Sequence, residues 1–199
     1  MSDDSVQDGL RMRRADSSDL RVLRTRAKLV EAFRGLLDSA PGEGVTVTAV
    51  VRAAGVSRSS FYAHFSDVGD LAGTALTEVN EAIVTLARGE VQQGRSRTQV
   101  NRQAGLVMAR YLAERKETFG PLLIGGGRFA DSLAASLAGQ MLETLRTRER
   151  LHANPEVTAH YMAGGFVQVI AWWLAADCQL GVEDLADALI SIAPADFID

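Results

Sequence analysis

The amino-acid sequence predicts an all-α protein built from a small N-terminal helical domain and a larger C-terminal helical domain. Apolar residues recur at steps of three and four along nearly the whole chain, which is the spacing of amphipathic helices. No segment alternates apolar and polar residues for long enough to require a sheet, and the chain has only 4 prolines. With 199 residues, 47% of them hydrophobic, the chain is long enough to bury a substantial core.

Composition excludes several classes of protein. A charged fraction of 23% beside this apolar content excludes wholesale disorder. The single cysteine, Cys178, excludes an intramolecular disulfide and a multi-cysteine metal site, and it fits the reducing cytoplasm, where we expect the protein to act. No early apolar run is typical of a signal peptide. The longest apolar stretch, Tyr161–Ala176, has 16 residues and is interrupted by Gln168, so no membrane span is predicted.

Helix signals follow one another along the chain. Residues 1–19 are polar and aperiodic and are predicted to form a flexible arm. The first helix is predicted from Leu20 or Thr25 to Ser39, and two short helices follow at 47–54 and 57–65. Asp67 is a suitable N-cap for a fourth helix.

The rest of the chain is predicted to hold five more helical segments. A polar stretch at 89–102 predicts a loop before the fifth, and Gly125 interrupts a short sixth segment. Asn154 followed by Pro155 opens the eighth helix, and Gly181 separates it from the ninth. The predicted organisation is an arm at 1–19, a helix-turn-helix domain at 20–66 and a second helical domain at 67–199.

The most specific motif spans residues 47–65. The sequence predicts two short helices joined by a tight turn, in which Gly55 can take the positive φ that such a turn requires. Val56 fills the angle between the helices, and Phe61 and Phe65 form an apolar pair at i and i+4. This is the layout of a helix-turn-helix, whose second helix enters the DNA major groove.

The outward side of this motif carries side chains suited to DNA. Arg58 can make two hydrogen bonds to one guanine, and hydroxyl groups near the helix start suit phosphate oxygens. A helical hairpin without a DNA role is the alternative. The predicted DNA-binding residues are Thr46, Thr48, Ser57, Arg58, Ser59, Ser60, Tyr62 and His64.

Charge is distributed unevenly along the chain. Residues 20–65 carry seven basic and three acidic side chains, a net charge of +4, whereas residues 66–199 carry 11 basic and 17 acidic side chains, a net charge of −6. A short basic block on an acidic protein (−4 overall) indicates one part that faces a polyanion. The alternative is a solvated, positively charged helix face.

The helix-turn-helix resembles the DNA-binding domain of the tetracycline-repressor (TetR) family of transcriptional regulators. The resemblance is carried by Ala53-Ala54-Gly55-Val56-Ser57, by Phe61-Tyr62-Ala63-His64-Phe65, and by Asp67 and Leu71. It covers about residues 24–76, because TRAKLVEAFRGLL is similar to the family's first helix, and a looser similarity extends to the last two helices. The resemblance implies a homodimer on a palindromic double-stranded DNA operator, usually a repressor that a small-molecule inducer releases.

One position departs from the family pattern. Many members carry a phosphate-contacting lysine where this chain has Val68, two residues before Asp70. The loss of one such contact affects a salt-dependent affinity and leaves the fold unchanged.

Aromatic and methionine side chains of the C-terminal domain predict an apolar pocket for the effector. Each of these residues has plain core packing as its alternative. Arg128 follows glycines at a helix start, where its side chain can turn inward to meet an acidic ligand. The predicted ligand-binding residues are Met108, Tyr111, Phe119, Arg128, Phe129, Tyr161 and Phe166, with Asn80, Gln140 and Gln168 as polar candidates for orienting the ligand.

The eighth helix is apolar on nearly all sides, so it needs two packing partners. One is its own core, and the other is most simply the same helix of a second subunit. A single deeply buried helix is the alternative. Trp172 and Trp173 are predicted to point to different sides, one into the core and one into the interface. The predicted dimer residues are Gly165, Val169, Trp172, Leu185, Leu189 and Ile192.

No catalytic signature is found in the sequence, so an enzyme is not expected. His152, Glu156 and His160 are spaced four apart, but the helix start at Pro155 separates His152 from the other two, so neither a metal site nor a cofactor is predicted. A phosphate loop, a zinc-protease motif and a nucleophile elbow are all missing. The predicted function is a ligand-controlled, DNA-binding regulator. The alternative is a TetR-like co-regulator that has lost DNA binding and acts through protein interaction.

Overall fold

The computed structural model describes residues 4–40, 43–125, 127–148 and 150–198, with side chains from Leu20 onward. Every regular element in those ranges is an α-helix, which confirms the predicted fold class. The helices are α1 (Asp4–Ser39), α2 (Val47–Ala54), α3 (Arg58–Tyr62), α4 (Val68–Gln92), α5 (Arg97–Glu114), α6 (Lys116–Ile124), α7 (Arg128–Arg146), α8 (Pro155–Ala175) and α9 (Val182–Ser191).

The first helix is longer than the sequence predicts. It begins at Asp4, so most of the segment expected to be an aperiodic arm forms its first turns, while residues 1–3 lie outside the described ranges. Periodicity predicts a helix from its stripe of apolar residues. Because these turns have no such stripe, the sequence pattern does not predict them. Residues of good helix propensity, such as Leu10, Arg11 and Met12, continue a helix without one.

Two other boundaries differ from expectation. Most of the predicted loop at 89–102 is helical, because α4 continues to Gln92 and the Ser96 hydroxyl caps α5 by accepting the Gln99 N–H at 3.3 Å. The helix α3 ends at Tyr62 instead of Phe65, since the chain turns at Ala63. Polar helix ends and short helices are the elements that periodicity detects least well.

The N-terminal domain packs around side chains from α1, α2, the α3 segment and the start of α4. A five-residue helix such as α3 is not stable alone, so this packing holds it in place. Burial of each large apolar side chain contributes about 1.5–3 kcal/mol. The fully buried residues of this core are Leu29, Phe33, Leu37, Val50, Phe61, Phe65 and Leu71.

The helix α4 joins the two domains. Its start is capped twice, because the Asp67 carboxylate accepts the Asp70 N–H at 2.9 Å and the Asp70 carboxylate accepts the Ser66 N–H at 3.0 Å. Its first half packs on α1, where Arg34 Nη2 lies 2.5 Å from Glu78 Oε2. Its second half packs between α5 and α7. At 1.5 Å per residue, its 25 residues span about 37 Å.

The C-terminal domain pairs α7 with α8, α5 with α9 and α6 with α8. Helices α4 and α7 lie side by side and run in the same direction, as Thr77 contacts Ser136 (Oγ1 to Oγ, 3.3 Å) and Arg88 contacts Thr144 (Nη2 to Oγ1, 3.1 Å). The carboxyl ends of both helices therefore meet at the end of the domain farthest from α3. No helix in the described ranges is long and apolar enough to cross a membrane.

Candidate functional site

The turn between α2 and α3 has the geometry that the sequence predicts. Gly55 lies in the left-handed region at φ 65° and ψ 36°, and its N–H donates to the carbonyl groups of Arg52 and Val51. Val56 is half-buried and packs against the core. Any other residue at position 55 would strain the turn, because L-residues rarely adopt this conformation.

The helix α3 presents one face to the core and one to solvent. Phe61 and Phe65 are fully buried, with ring centroids 5.9 Å apart. Tyr62 is 53% exposed, and its ring meets the edge of Phe61 at 5.4 Å, so the phenol is held at the surface. Arg58 and Ser59 are exposed beside it. This surface is the one that the sequence assigned to DNA.

Two of the hydroxyl groups at the starts of α2 and α3 cap these helices. Thr46 caps α2 by accepting the Ala49 N–H at 3.2 Å, and Ser57 caps α3 by accepting the Ser60 N–H at 3.0 Å. Ser57 Oγ also lies 2.8 Å from Ser59 Oγ and 2.9 Å from Ser60 Oγ. Thr48 is exposed on the first turn of α2. Thr46 and Ser57 therefore set the helix positions as well as facing outward.

Sequence reasoning missed Arg26, which contacts the end of the recognition segment, defined as residues 58–65. Its guanidinium lies 4.4 Å from the centroid of the Phe65 ring, donates to the His64 carbonyl at 3.3 Å and donates to Thr74 Oγ1 at 3.1 Å. Its charge therefore joins α1 to the α3–α4 junction. His64 itself is half-buried.

Other cations of the N-terminal domain remain exposed. None of them forms a salt bridge with another residue that the structure describes, in contrast to Arg34 with Glu78. These exposed cations are Arg21, Arg24, Lys28, Arg52 and Arg58.

A cavity of about 560 Å³ lies in the C-terminal domain between α4, α5, α7, α8 and α9. Met108, Tyr161 and Phe166 line it, as predicted for ligand-binding residues. Its wall is mostly apolar and includes Ile83, Val84, Leu137 and Met141. The volume and lining are those of a small-molecule site.

The other four predicted ligand residues lie elsewhere. Phe119 and Phe129 are buried with ring centroids 6.2 Å apart, and Tyr111 packs on Phe119 at 5.9 Å, so these rings fill the core at α6. Arg128 is exposed and, with Phe129, borders a recess of about 370 Å³ at the start of α4. The prediction was wrong for these rings because aromatic composition does not distinguish a ring that fills a core from a ring that lines a cavity.

Two polar candidates meet at the inner part of the cavity wall. Asn80 is buried and its Nδ2 donates to Gln140 Oε1. Gln140 Nε2 is buried without a hydrogen-bond partner among the described residues. Gln168, the third candidate, is exposed and does not line the cavity.

Residues 29–72 match the family model described as bacterial regulatory proteins, tetR family. The matched segment contains the end of α1, the helix-turn-helix and the first turn of α4. The N-terminal domain is therefore that of a TetR-family transcriptional regulator, with a DNA-binding helix-turn-helix.

Solved structures extend the likeness from the N-terminal domain to the whole fold. FadR of Thermus thermophilus, a TetR-family repressor in complex with lauroyl-CoA, has a TM-score of 0.65 at 18% identity, over 84% of this chain and 92% of that one. RolR in complex with resorcinol has a TM-score of 0.63 at 17% identity, over 87% and 89%. AlkX from a Dietzia strain has a TM-score of 0.56 at 17% identity, over 84% and 91%. No curated protein sequence matches the chain.

Val68, where many TetR-family members have lysine, is half-buried in this regulator. It packs against the core and borders the recess beside Phe129. The position therefore contributes packing in this chain, so its side chain supplies no phosphate contact.

The helix α8 of the regulator carries a surface stripe of apolar and small residues. Trp172 is 59% exposed and Tyr161 is 75% exposed, with Gly164 and Gly165 exposed between them. Trp173 is fully buried, and its Nε1 donates to the Leu180 carbonyl at 2.7 Å. The prediction that the two tryptophans point to different sides is confirmed.

The predicted dimer residues are not all on this surface. Gly165, Trp172 and Ile192 are exposed, whereas Val169 and Leu189 are half-buried and line the cavity together with Gly165 and Ile192. Leu185 is 1% exposed and belongs to the core where α9 packs on α5. The apolar face of α9 is turned inward because α9 has its own partner within the protomer.

His152 and Glu156, whose spacing the sequence analysis did not assign to a metal site, make ordinary side-chain contacts. His152 binds the Asp196 carboxylate, and Glu156 lies 3.4 Å from Arg146. In the described ranges, no three His, Cys, Asp or Glu side chains are grouped as metal ligands.

Proposed function

We propose that this TetR-family regulator is a repressor that binds a palindromic operator as a homodimer and leaves it when a small molecule occupies the cavity. The observation that carries the proposal is the path of α4, which begins directly after the helix-turn-helix and forms one wall of the cavity from Asn80 onward. We further propose that it acts in the cytoplasm, without catalysis.

The proposed DNA surface is the exposed face of α3 with the starts of α2 and α3. Arg58 is the candidate for reading a base, because an arginine on the first turn of a recognition helix reaches guanine in the major groove. Tyr62 and the exposed cations of α1 are candidates for phosphate contacts, which set position without reading sequence. The proposed division is an N-terminal segment at 1–19, a DNA-binding domain at 20–66 and an effector-binding and dimerisation domain at 67–199.

The proposed dimer face is the exposed stripe of α8, centred on Gly165 and Trp172. Monomeric proteins rarely leave a large indole exposed in a row with other apolar side chains, and small residues allow two helices to approach closely. A two-fold axis beside α8 would place the same stripe of both subunits face to face. Two recognition helices could then reach successive major grooves.

The cavity is the proposed effector site. The complexes of FadR with lauroyl-CoA and of RolR with resorcinol support ligand binding as a property of similar folds. Moving a population from 99:1 to 1:99 needs about 5.5 kcal/mol of differential affinity. Burying about 200 Å² more apolar surface in the released state supplies about 5 kcal/mol, so a ligand of modest size is sufficient.

DNA binding is tested first with fragments from upstream of the protein's own gene. A palindromic fragment should bind as one dimer with an affinity that falls steeply as salt rises, while a scrambled fragment of equal length binds far more weakly. Equal affinity for the two fragments would overturn specific operator recognition. An effector should then weaken operator binding by the same factor by which operator weakens effector binding.

A second candidate function is a co-regulator that acts through protein contacts and has lost DNA binding. It is favoured by Val68, which packs against the core. Many family members have a phosphate-contacting lysine at this position. This candidate predicts no salt-dependent binding to any upstream fragment.

A further inference from the structure

A buried asparagine lies in an apolar part of the cavity wall. Asn80 of α4 lines the cavity and is only 8% exposed. One turn away along the helices the lining is apolar, with Ile83 on α4 and Leu137 on α7. Asparagine is seldom buried to this degree, and a buried amide that is only partly hydrogen-bonded requires a physical explanation.

The hydrogen bonds of Asn80 are incomplete. Its Nδ2 donates to Oε1 of Gln140 on α7, which also lines the cavity. Its Oδ1 makes no hydrogen bond with any residue that the structure describes. Of the two amides, only Gln140 Nε2 is both unpartnered and fully enclosed by protein, so Asn80 Oδ1 keeps surface that is open to the cavity. The pair therefore offers the cavity one free acceptor, and the neighbouring amide holds an unused donor.

Other contacts already join α4 to α7 on both sides of this pair. About one turn earlier, Thr77 Oγ1 lies 3.3 Å from Ser136 Oγ, and neither residue lines the cavity. About two turns later, Arg88 Nη2 donates to Thr144 Oγ1 at 3.1 Å. Attachment of the two helices therefore does not by itself account for a buried amide that faces the cavity.

We propose that the cavity binds an apolar effector through one hydroxyl group, of an alcohol or a phenol, which donates a hydrogen bond to Asn80 Oδ1. This inference rests on the proposed function of the cavity as the effector site. A turn of the Gln140 amide would let its Nε2 donate to the same hydroxyl oxygen, so one O–H group can satisfy both amides. An effector without a donor would cover Asn80 Oδ1 and leave it unpaired, which costs affinity.

The surroundings favour a neutral O–H group over a charged one. A buried ammonium group needs a counter-charge, and no carboxylate belongs to the described lining of the cavity. An ionised carboxylate has no proton to donate to Asn80 Oδ1. Because Asn80 belongs to α4, the contact that gives affinity also acts on the helix that follows the helix-turn-helix.

Two pairs of probes test the proposal on the intact protein by calorimetry. Naphthol is compared with methylnaphthalene, and octanol with heptyl methyl ether, so each analogue has the size of its partner and lacks the O–H group. At least one hydroxyl probe should bind about tenfold more tightly than its analogue, because a site with a buried acceptor rejects a ligand that leaves it unpaired. Preference for naphthol identifies a phenol as the source of the hydroxyl, and preference for octanol identifies an alcohol. Analogues that bind as tightly as both hydroxyl probes, or binding of none of the four, overturn the proposal.

A double variant locates the hydroxyl. Asn80→Leu combined with Gln140→Leu removes both amides and leaves neither with an unpaired partner. The melting temperature should be retained, because replacing both partners of a buried hydrogen bond by apolar groups of similar shape is nearly neutral. The preference for the hydroxyl probe should fall about tenfold, back to that of an apolar wall. Gln103→Leu is the matched control, because Gln103 is an exposed amide on α5 that does not line the cavity.

A hydroxyl preference that persists in the double variant would overturn the proposal. So would a lowered melting temperature with equal weakening of every probe, because that result assigns the amide pair a structural role alone. The comparison of probes on the unmodified protein decides the proposal if the double variant does not fold. Operator affinity is measured with and without the preferred probe. A probe that shows this preference but leaves the operator occupied would overturn the proposed role of the cavity in release, while the hydroxyl site would stand.

Discussion

Arg115 binds Asp38 across the boundary between the two domains, with 2.8 Å between Nη2 and Oδ1. The guanidinium also lies 4.2 Å from the centroid of the Tyr111 ring, and its side chain is only 13% exposed. Beside it, Thr118 Oγ1 donates to the Glu43 carbonyl at 3.3 Å. The end of α1 is thereby attached to the α5–α6 junction, so α4 is not the only connection between DNA surface and cavity.

Arg115→Gln should loosen this attachment. Arg115 has two exposed carboxylate partners, Asp38 and Glu114, so loss of its largely buried guanidinium should lower the free energy of unfolding by about 1–2 kcal/mol. Effector binding should persist while the factor by which effector weakens operator binding decreases. Arg110→Gln is the control, since Arg110 of α5 forms an exposed pair with Glu183 of α9 and should contribute little. A variant with unchanged stability and unchanged coupling would show that this attachment has no role.

Arg58→Ala should weaken binding to a specific operator by about 1–3 kcal/mol and relax base preference at one position in each half-site. Tyr62→Phe should reduce affinity for specific and random DNA more evenly, because phosphate contacts carry no sequence information. Fluorescence anisotropy with both DNAs measures these effects. Equal losses for Arg58→Ala on both DNAs would indicate that Arg58 contacts only phosphate.

Gly165→Leu and Trp172→Glu should each dissociate the dimer and abolish operator binding together. A Cβ atom added at Gly165 meets no atom of the neighbouring elements of its own subunit within 4 Å, so the substitution causes no clash at Cβ and dissociation would be attributed to the partner. Gly139→Leu is the control, because Gly139 is equally open but lies on α7. Light scattering measures the mass of each variant, and anisotropy measures the operator affinity. A monomeric variant with full operator affinity would contradict the dimer, because the two half-sites lie about 34–36 Å apart.

Asp196 anchors the C-terminal segment, because its carboxylate accepts the His152 main-chain N–H at 2.9 Å and lies 2.8 Å from His152 Nδ1. These hydrogen bonds hold the pKa of Asp196 below its ordinary value of 3.8. The stability they contribute is therefore complete above a pH of about 4 and is lost as the pH falls below that value. Asp196→Ala should cost about 1–3 kcal/mol near neutral pH.

The difference between Asp196→Ala and the unmodified protein should shrink as the pH falls below 4. Thermal unfolding between pH 3 and pH 7 measures it, with Glu81→Ala as an exposed control on α4. A difference that stayed constant over this range would exclude the charged carboxylate as the cause.

The sequence predicts the helix-turn-helix well because its determinants are local. Gly55 imposes the turn, Phe61 and Phe65 select the buried face, and Asp67 marks the next helix start. All lie within 13 residues, so no tertiary information is needed. The different orientations of Trp172 and Trp173 are also predicted from the sequence alone, since adjacent residues on a helix point about 100° apart.

The cavity depends on packing that the sequence does not encode locally. Phe119 and Phe129 have the composition of pocket residues but stack on each other in the core. Leu185 has the pattern of an interface residue but is covered by α5. Only the assembled helices decide which apolar face is filled by a neighbour and which is left facing a cavity.

The contacts of Arg26 connect a tilt of α4 to the position of the recognition segment. Arg26 contacts His64, Phe65 and Thr74, so it links the recognition segment to the first turns of α4 and favours their moving together. The cavity wall begins at Asn80, 12 residues or about 18 Å from the start of α4. A tilt of about six degrees about that point carries the recognition segment through about 2 Å. In a symmetric dimer the α4 helices of both subunits would tilt together. A small change of cavity shape would therefore change the distance between the two recognition segments by about twice that displacement.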